Sequence, residues 1–478
     1  MPKALQPHPD RALPAGEARG VARRIHASVK DLPLLCLHGH VDAALFAQDE
    51  AFGNPADLLV VPDHYVTRML ISQGVAPDKL GLPRLDGTRT AEPREIWREF
   101  CSRWHLFLGT PSRYWLEHEF AEVLGLTIAP SAETADQLYD EISERLAEAE
   151  FRPRALLDRF GIEIISTTDA ATDDLSQHAK VAADLPGRVI PTFRPDALVH
   201  LDRPDWSDLT RKLAELAGTD TSSYDGYLQA LRQRRRAFVA AGALATDHGH
   251  LSAAAIPLED EGARRIYTSA QRGDVSAADA AAFAGHMLFQ LAAMSAEDGL
   301  VMQLHPGVLR DHDPAIQAAY GPDQGHDIPV ATEFTRSLRP LLERFGHAEG
   351  FRMVLFTVDE TVYSRELAPL AGVYPSVRLG APWWFLDSPD GMRRFRELVT
   401  ETAGFYNTSG FVDDTRAFLS IPARHDLARR IDAGYLAKLV VEHRLEEDDA
   451  FKVAQDLAYN LAADTYRRSP EPRQPLTR

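Results

Sequence analysis

Short apolar runs alternate with longer stretches of helical spacing along most of the chain. The runs are Leu34–Leu37, Gly161–Ser166, Val189–Phe193, Ala243–Thr246, Leu300–Leu304, Met353–Thr357, Val377–Gly380 and Phe405–Thr408. Runs of this length, apolar without alternation, read as parallel strands buried on both faces. Between them, apolar positions recur at helical spacing over Ala132–Ala149, Tyr224–Ala241, Ala277–Met294 and Pro389–Ala403. The rhythm predicts an α/β fold, a distorted (β/α)8 TIM-type barrel. Alternation alone fits a doubly wound open sheet equally well.

One interval breaks the rhythm. Residues 41–160 separate the first run from the second and contain helix-like segments at Glu95–Leu108 and Tyr114–Leu124. This predicts a helical insertion after strand 1, large enough to cover the mouth of a barrel. Beyond Phe418 the pattern predicts extra C-terminal helices over Leu427–Arg444 and Glu447–Arg467. Residues 1–14 are Pro-rich, and residues 468–478 have the composition of a flexible tail. The expected organisation is therefore a flexible N-terminal segment, a single barrel domain over 15–467, and a flexible tail.

Composition narrows the function classes. The formal net charge is −18, which argues against broad nucleic-acid or anionic-membrane binding, since both need positive surface. With 2 cysteines, Cys36 and Cys101, the chain has neither a disulfide scaffold nor a cysteine-rich metal site. Cys101 falls in a helical pattern and reads as buried filler. No apolar run approaches the roughly 20 residues that span a bilayer, and the N-terminus has no apolar signal core. A cytoplasmic protein is the expectation.

Candidate chemistry gathers at the ends of the predicted strands. The first run leads into His38-Gly39-His40. Residues i and i+2 of a strand share a side, so both imidazoles can face one point, which suits a borderline ion such as Zn²⁺. Further runs lead into Arg194-Pro195-Asp196, Asp247-His248-Gly249-His250, His305-Pro306-Gly307 with Arg310, and Asp413-Asp414-Thr415-Arg416. Each alone could be a helix cap or a surface ion pair. Their repetition at strand C-terminal ends, which converge in a barrel, argues for one site.

These segments carry a resemblance to uronate isomerases of the amidohydrolase superfamily. The matching stretches include Leu37–His40, Asp63-His64-Tyr65-Val66-Thr67-Arg68, Gly109–Trp115, Ser166–Asp169, Phe193-Arg194-Pro195-Asp196, Thr246-Asp247-His248-Gly249, Leu304–Arg310, Pro382-Trp383-Trp384-Phe385 and Asp414–Ser420. They follow in family order from about residue 34 to 460. The family usually has His-Cys-His where this chain has Gly39, which bears on local packing rather than on the ligands.

The resemblance implies a distorted metal-dependent barrel that interconverts aldo- and keto-hexuronates, D-glucuronate with D-fructuronate and D-galacturonate with D-tagaturonate, through an enediol. It implies a divalent metal, Zn²⁺ first and Mn²⁺ as an alternative, held by His38, His40 and Asp414. Asp414 and Tyr65, with His64 adjacent, are the implied proton-transfer residues. Arg68, Arg194, Arg310 and Arg416 are the implied clamps for carboxylate and hydroxyls. Asp247 and His305, placed at the ends of the fifth and sixth strands, would bind hydroxyls or order the site. Trp383 or Trp384 would wall the sugar; on a strand they would face opposite sides. His118, His250 and His312 read as surface or packing residues. Hexuronates are the expected partners, with a homo-oligomer compatible.

Two other readings compete. A metal-dependent hydrolase or decarboxylase of the same superfamily would share the His-x-His and the last-strand Asp, and many carry a bridging Lys on the fourth strand. The strand counted as fourth ends in Phe193-Arg194-Pro195-Asp196, without Lys, and arginines at strand ends suit an anionic sugar. A sugar-acid sensor without turnover would show loss of ligands or of the proton-transfer pair, and neither is lost.

Overall fold

The computed structural model describes residues 3–467. The tail expected over 468–478 lies outside the described residues. The strands are all short and buried: the first at Leu34–Cys36, then Ile162–Ser166 continued by Asp169–Ala170, and Val189–Ile190 continued by Phe193–Arg194. Ala245–His248, Val301–Leu304, Met353–Leu355 and Val377–Leu379 are the fourth to seventh. Each pairs in parallel with the next.

The eighth run contributes a single parallel bridge, Leu379 to Thr408. Closure onto the first strand comes from the loop beyond it: Asp414 N–H donates to His38 O at 3.1 Å, and His40 N–H to Thr415 O at 2.9 Å. The circle is a (β/α)8 barrel, so the open-sheet alternative is excluded. The bonds that close it lie beside the candidate metal ligands.

The strand count shifts by one. Phe193-Arg194 ends the third strand, Asp247 lies on the fourth and His305 follows the fifth. The runs, counted from Leu34–Leu37, follow the same order. The fourth strand ends in Asp247-His248, still without Lys, so the argument against a bridging lysine stands on the correct strand.

The helices follow their sequence signals. Pro389–Ala403 forms as expected, started by Ser388, whose side chain accepts from Gly391 N–H, and by Pro at its first position. Tyr224–Ala240 starts from Ser223 and Ala277–Asp298 from Ser276 in the same way. The insertion holds Pro93–Ser102, Pro111–His118 and Ala135–Leu146, packed through Trp97, Phe100, Phe107 and Phe120 onto the face that also buries Leu34 and Cys36. It also holds His64–Ser72, which carries His64, Tyr65 and Arg68. The periodicity signal missed this helix because it spans only 9 residues.

Residues 3–14, expected to be loose, are held in place. Ala4 bridges Ile128, Leu5 is buried, and Arg11 lies 4.4 Å over the Tyr114 ring. The composition suggested flexibility, but one apolar residue and one arginine have found partners on the insertion. The helix Ala18–Val29 packs on Ile421–Val441.

Candidate active site

A cavity of about 420 Å³ opens at the C-terminal ends of the strands. This is the range in which small-molecule sites fall. Most of the expected residues reach it: His40, His64, Tyr65, Arg194, His305, Arg310, Trp383, Trp384, Asp414 and Arg416 all contribute to its wall.

At its floor His38 Nε2 lies 3.2 Å, and His40 Nε2 3.1 Å, from the same Asp414 oxygen, Oδ1. Yet His38 Nδ1, His38 Nε2 and Asp414 Oδ1 make no hydrogen bond, though buried. Ligating atoms gathered this closely, and outside any hydrogen bond, are what a shared cation would resolve. Zn–N and Zn–O distances of about 2.1 Å would put tetrahedral ligand atoms about 3.4 Å apart, close to the spacing seen. The donor set fits a borderline divalent ion, and three protein ligands leave one position open to substrate.

The backbone aims these groups. Asp414 has φ 39°, a left-handed conformation that costs a residue with a Cβ and is typically retained where a site needs it. A Cβ placed on Gly39 would meet Asp413 Oδ1 at 3.5 Å, ordinary contact. The glycine is therefore not sterically required.

Beneath the ligands sits a buried charged pair. His305 Nε2 is 2.7 Å from Asp247 Oδ1, and Arg194 Nη1 is 3.3 Å from Asp247 Oδ2. Burial would raise the Asp247 carboxyl, but His305 and Arg194 outweigh it and hold it well below the usual carboxylate range. Asp247 and His38 lie behind the wall and touch through a 3.7 Å approach. Asp247 thus stands behind the cavity and does not itself line it.

Proton-transfer candidates differ sharply in state. Asp414 is also well below the usual range, because the two imidazoles overcome its burial. Tyr65 is pushed the other way, well above the ordinary phenol value, chiefly by burial. Burial, then the Arg416 charge, lowers His64 to about 3. Near neutral pH the cavity therefore presents a carboxylate, a phenol and a neutral imidazole.

The arginines have distinct anchors. Arg194 Nε donates to Asp196 at 2.9 Å, Arg310 pairs with Asp327 at 2.7 Å, and Arg416 pairs with Asp323 at 2.6 Å. Arg68 does not reach the cavity wall; its guanidinium lies over the rings of Tyr65 (5.5 Å) and Phe385 (5.1 Å). The expectation of a clamp gives way to packing behind Tyr65. Trp383 and Trp384 both reach the wall because they lie at the start of a 3₁₀ turn, not on a strand. Trp383 is buried, 5.3 Å from the His38 ring, while Trp384 carries Arg310 4.9 Å above its face.

Sequence reasoning missed three contributors. Arg424 lines the cavity, forms a buried pair with Asp387, and lies 3.7 Å from the Trp115 ring centroid. Its signal was an arginine in helical register with apolar Leu427 and Ala428. Asp323 follows a Gly-Pro turn that reads as plain loop, and nothing local marks it. Asp196 was visible in the Arg-Pro-Asp segment but was given no role. His250 was read as surface or packing, but it is buried beside the site. His118 packs on Arg11, His312 is exposed, and Cys101 is buried.

A family model described as glucuronate isomerase matches residues 18–466. A uronate isomerase from Phenylobacterium zucineum is 53% identical over 99% of this chain and 99% of its own length. Among solved structures, a glucuronate isomerase from Caulobacter crescentus aligns with a TM-score of 0.95 at 47% identity, covering 99% of this chain and 100% of that one. A uronate isomerase from Thermotoga maritima aligns with a TM-score of 0.90 at 28% identity, over 96% and 99% of the two chains.

Proposed function

We infer the chemistry of this cavity from a plain premise: the chain belongs to the glucuronate isomerase family. It is an aldose–ketose isomerase of hexuronates, converting D-glucuronate to D-fructuronate and D-galacturonate to D-tagaturonate. The observation that carries this reading is the gathering of Asp414, Tyr65 and the arginines at one cavity floored by His38 and His40.

His38, His40 and Asp414 would hold a divalent cation, Zn²⁺ by donor type. Bound there, it supplies Lewis-acid polarisation of a substrate oxygen. The remaining work falls to side chains. Arg194, Arg310 and Arg416 converge on an anionic ligand from different elements, and each is anchored by a carboxylate that fixes its fork. They hold the uronate carboxylate and hydroxyls, with Trp384 against the sugar.

Isomerisation removes the C2 proton, forms an enediol, and delivers a proton to C1; the O2 proton ends on O1. Asp414 is ionised and takes the carbon proton, then returns it one carbon away. Tyr65 stays protonated, so it donates to the oxygens instead of acting as the carbon base. Its neighbour His64, a neutral imidazole, can accept and donate in the same step and relays the hydroxyl proton. Asp247 and His305 keep His38 in place. The reaction suits sugar-acid catabolism in the cytoplasm, and among the described residues no helix is long and apolar enough to cross a membrane.

Proton washout separates the two roles. With substrate deuterated at C2, Tyr65→Phe is expected to keep slow exchange of that deuterium into water while losing net turnover. Asp414→Asn should lose both. Exchange that survives in Asp414→Asn and vanishes in Tyr65→Phe would reverse the assignment.

A further inference from the structure

The chain uses its His-Gly-His motif twice. His248-Gly249-His250 stands at the end of the fourth strand as His38-Gly39-His40 stands at the end of the first. The second pair has its own carboxylate. Asp196, His248 and His250 each offer a ligand atom, and these atoms lie within 4.8 Å of one another.

Three polar atoms there are buried with no hydrogen-bond partner among the described residues: His248 Nδ1, His250 Nε2 and Asp196 Oδ1. His248 is 0% and His250 6% exposed. Leaving such atoms unmatched carries their full desolvation cost, so something should meet them. His248 Nε2 is already engaged with Thr246 Oγ1 at 2.8 Å. In the tautomer where that nitrogen donates, Nδ1 is an acceptor, like Asp196 Oδ1. With His250 Nε2 also unprotonated, the pocket holds three acceptors, more than the two protons of a single water can serve. A cation can serve all three.

We propose that Asp196, His248 and His250 form a second divalent-cation site, of the borderline class that imidazole and carboxylate share, Zn²⁺ first. Neutral imidazole is the state in which a histidine ligates a metal. An entry path exists. His250 lines a side chamber of about 270 Å³, and that chamber shares His200, Gly249, His305 and Arg310 with the main cavity. The His200 ring lies 5.4 Å from that of His250 and lines the same chamber.

The second site is the weaker one. Asp196 Oδ2 already accepts from Arg194 Nε and Gly249 N–H, both at 2.9 Å. The Arg194 charge opposes a cation beside it. Filling the site draws Asp196 away from Arg194, a consequence that rests on the clamp role proposed above; the binding itself does not.

Equilibrium dialysis of metal-stripped protein against Zn²⁺, without substrate, counts the sites independently of turnover. Two Zn²⁺ per chain are expected, the second released at an at least tenfold higher free concentration. His250→Gln and His248→Gln, each checked for native circular dichroism, should bind one. Co²⁺ titration of the unaltered protein gives a second reading that needs no variant: two successive equivalents should each add visible absorption. One Zn²⁺ at saturation, one Co²⁺ spectrum, or two Zn²⁺ retained in both variants would overturn the site and leave water as the occupant of the pocket.

Discussion

Two copies of one tripeptide, at strand ends three apart around the barrel, come to opposite electrostatic ends. At His38-Gly39-His40 the carboxylates win. Burial would lower the His38 imidazole, but Asp247 and Asp414 raise it. At His248-Gly249-His250 burial wins, and both rings fall to about 3 and about 4. The difference lies in who owns the carboxylate. Asp414 Oδ1 faces both rings of its motif, whereas Asp196 is shared with Arg194 and a backbone N–H. A motif of three residues therefore sets which atoms are offered, and the neighbouring strand decides whether they are free.

The largest effect should come from taking the carboxylate away from the first motif. Asp414→Asn is expected to keep the fold by circular dichroism and to lower kcat by about 10³-fold or more, within the usual span for a positioned acid–base group. Near-normal turnover would remove Asp414 from the chemistry.

The middle glycines sharpen the contrast. A Cβ on Gly249 would lie 2.7 Å from His305 Cε1 and 2.9 Å from Arg194 Nη2, whereas one on Gly39 meets nothing closer than 3.5 Å. Gly249→Ala should displace His305 and Arg194 and cost about 10²-fold in kcat/KM, as misplacement of an angstrom can. Gly39→Ala should stay within a few-fold of the unaltered enzyme. Equal losses at both positions would break the comparison. Arg194→Lys comes next: losing the fork while keeping the charge should raise KM about tenfold. An unchanged KM and kcat would take Arg194 out of the site.

Legibility followed range in sequence. The candidate ligands His38 and His40 were visible because an extended segment places i and i+2 on one side, and the barrel because buried parallel strands leave uninterrupted apolar runs. Asp323 and Arg424 could not be assigned, since their partners, Arg416 and Asp387, are 93 and 37 residues away. The eighth strand was read as a full run, yet it forms one bridge because the chain turns early to bring Asp414 against His38. Arg68 was named as a clamp from the resemblance alone, and its guanidinium lies over the rings of Tyr65 and Phe385. The second His-Gly-His was set aside because the resemblance gave His250 no role.

The smallest effect concerns stability and pH. His248 and His250 have folded values of about 3 and about 4, below the ordinary value near 6.5. Between those limits the unfolded chain binds protons that the folded one refuses, so stability present at neutral pH is lost as pH falls below about 6.5. The urea midpoint of metal-free protein should drop between pH 7 and pH 5, and drop less in His250→Gln. An identical drop in the variant would show that this ring is protonated in the fold.

The most direct test of the central claim is proton NMR of D-glucuronate and D-galacturonate in D₂O with the purified protein, before and after chelation. Appearance of the keto-uronates, loss of conversion on stripping, and its return with Zn²⁺ or Mn²⁺ are the results expected. No conversion of either sugar by folded, metal-loaded protein would contradict the isomerase assignment.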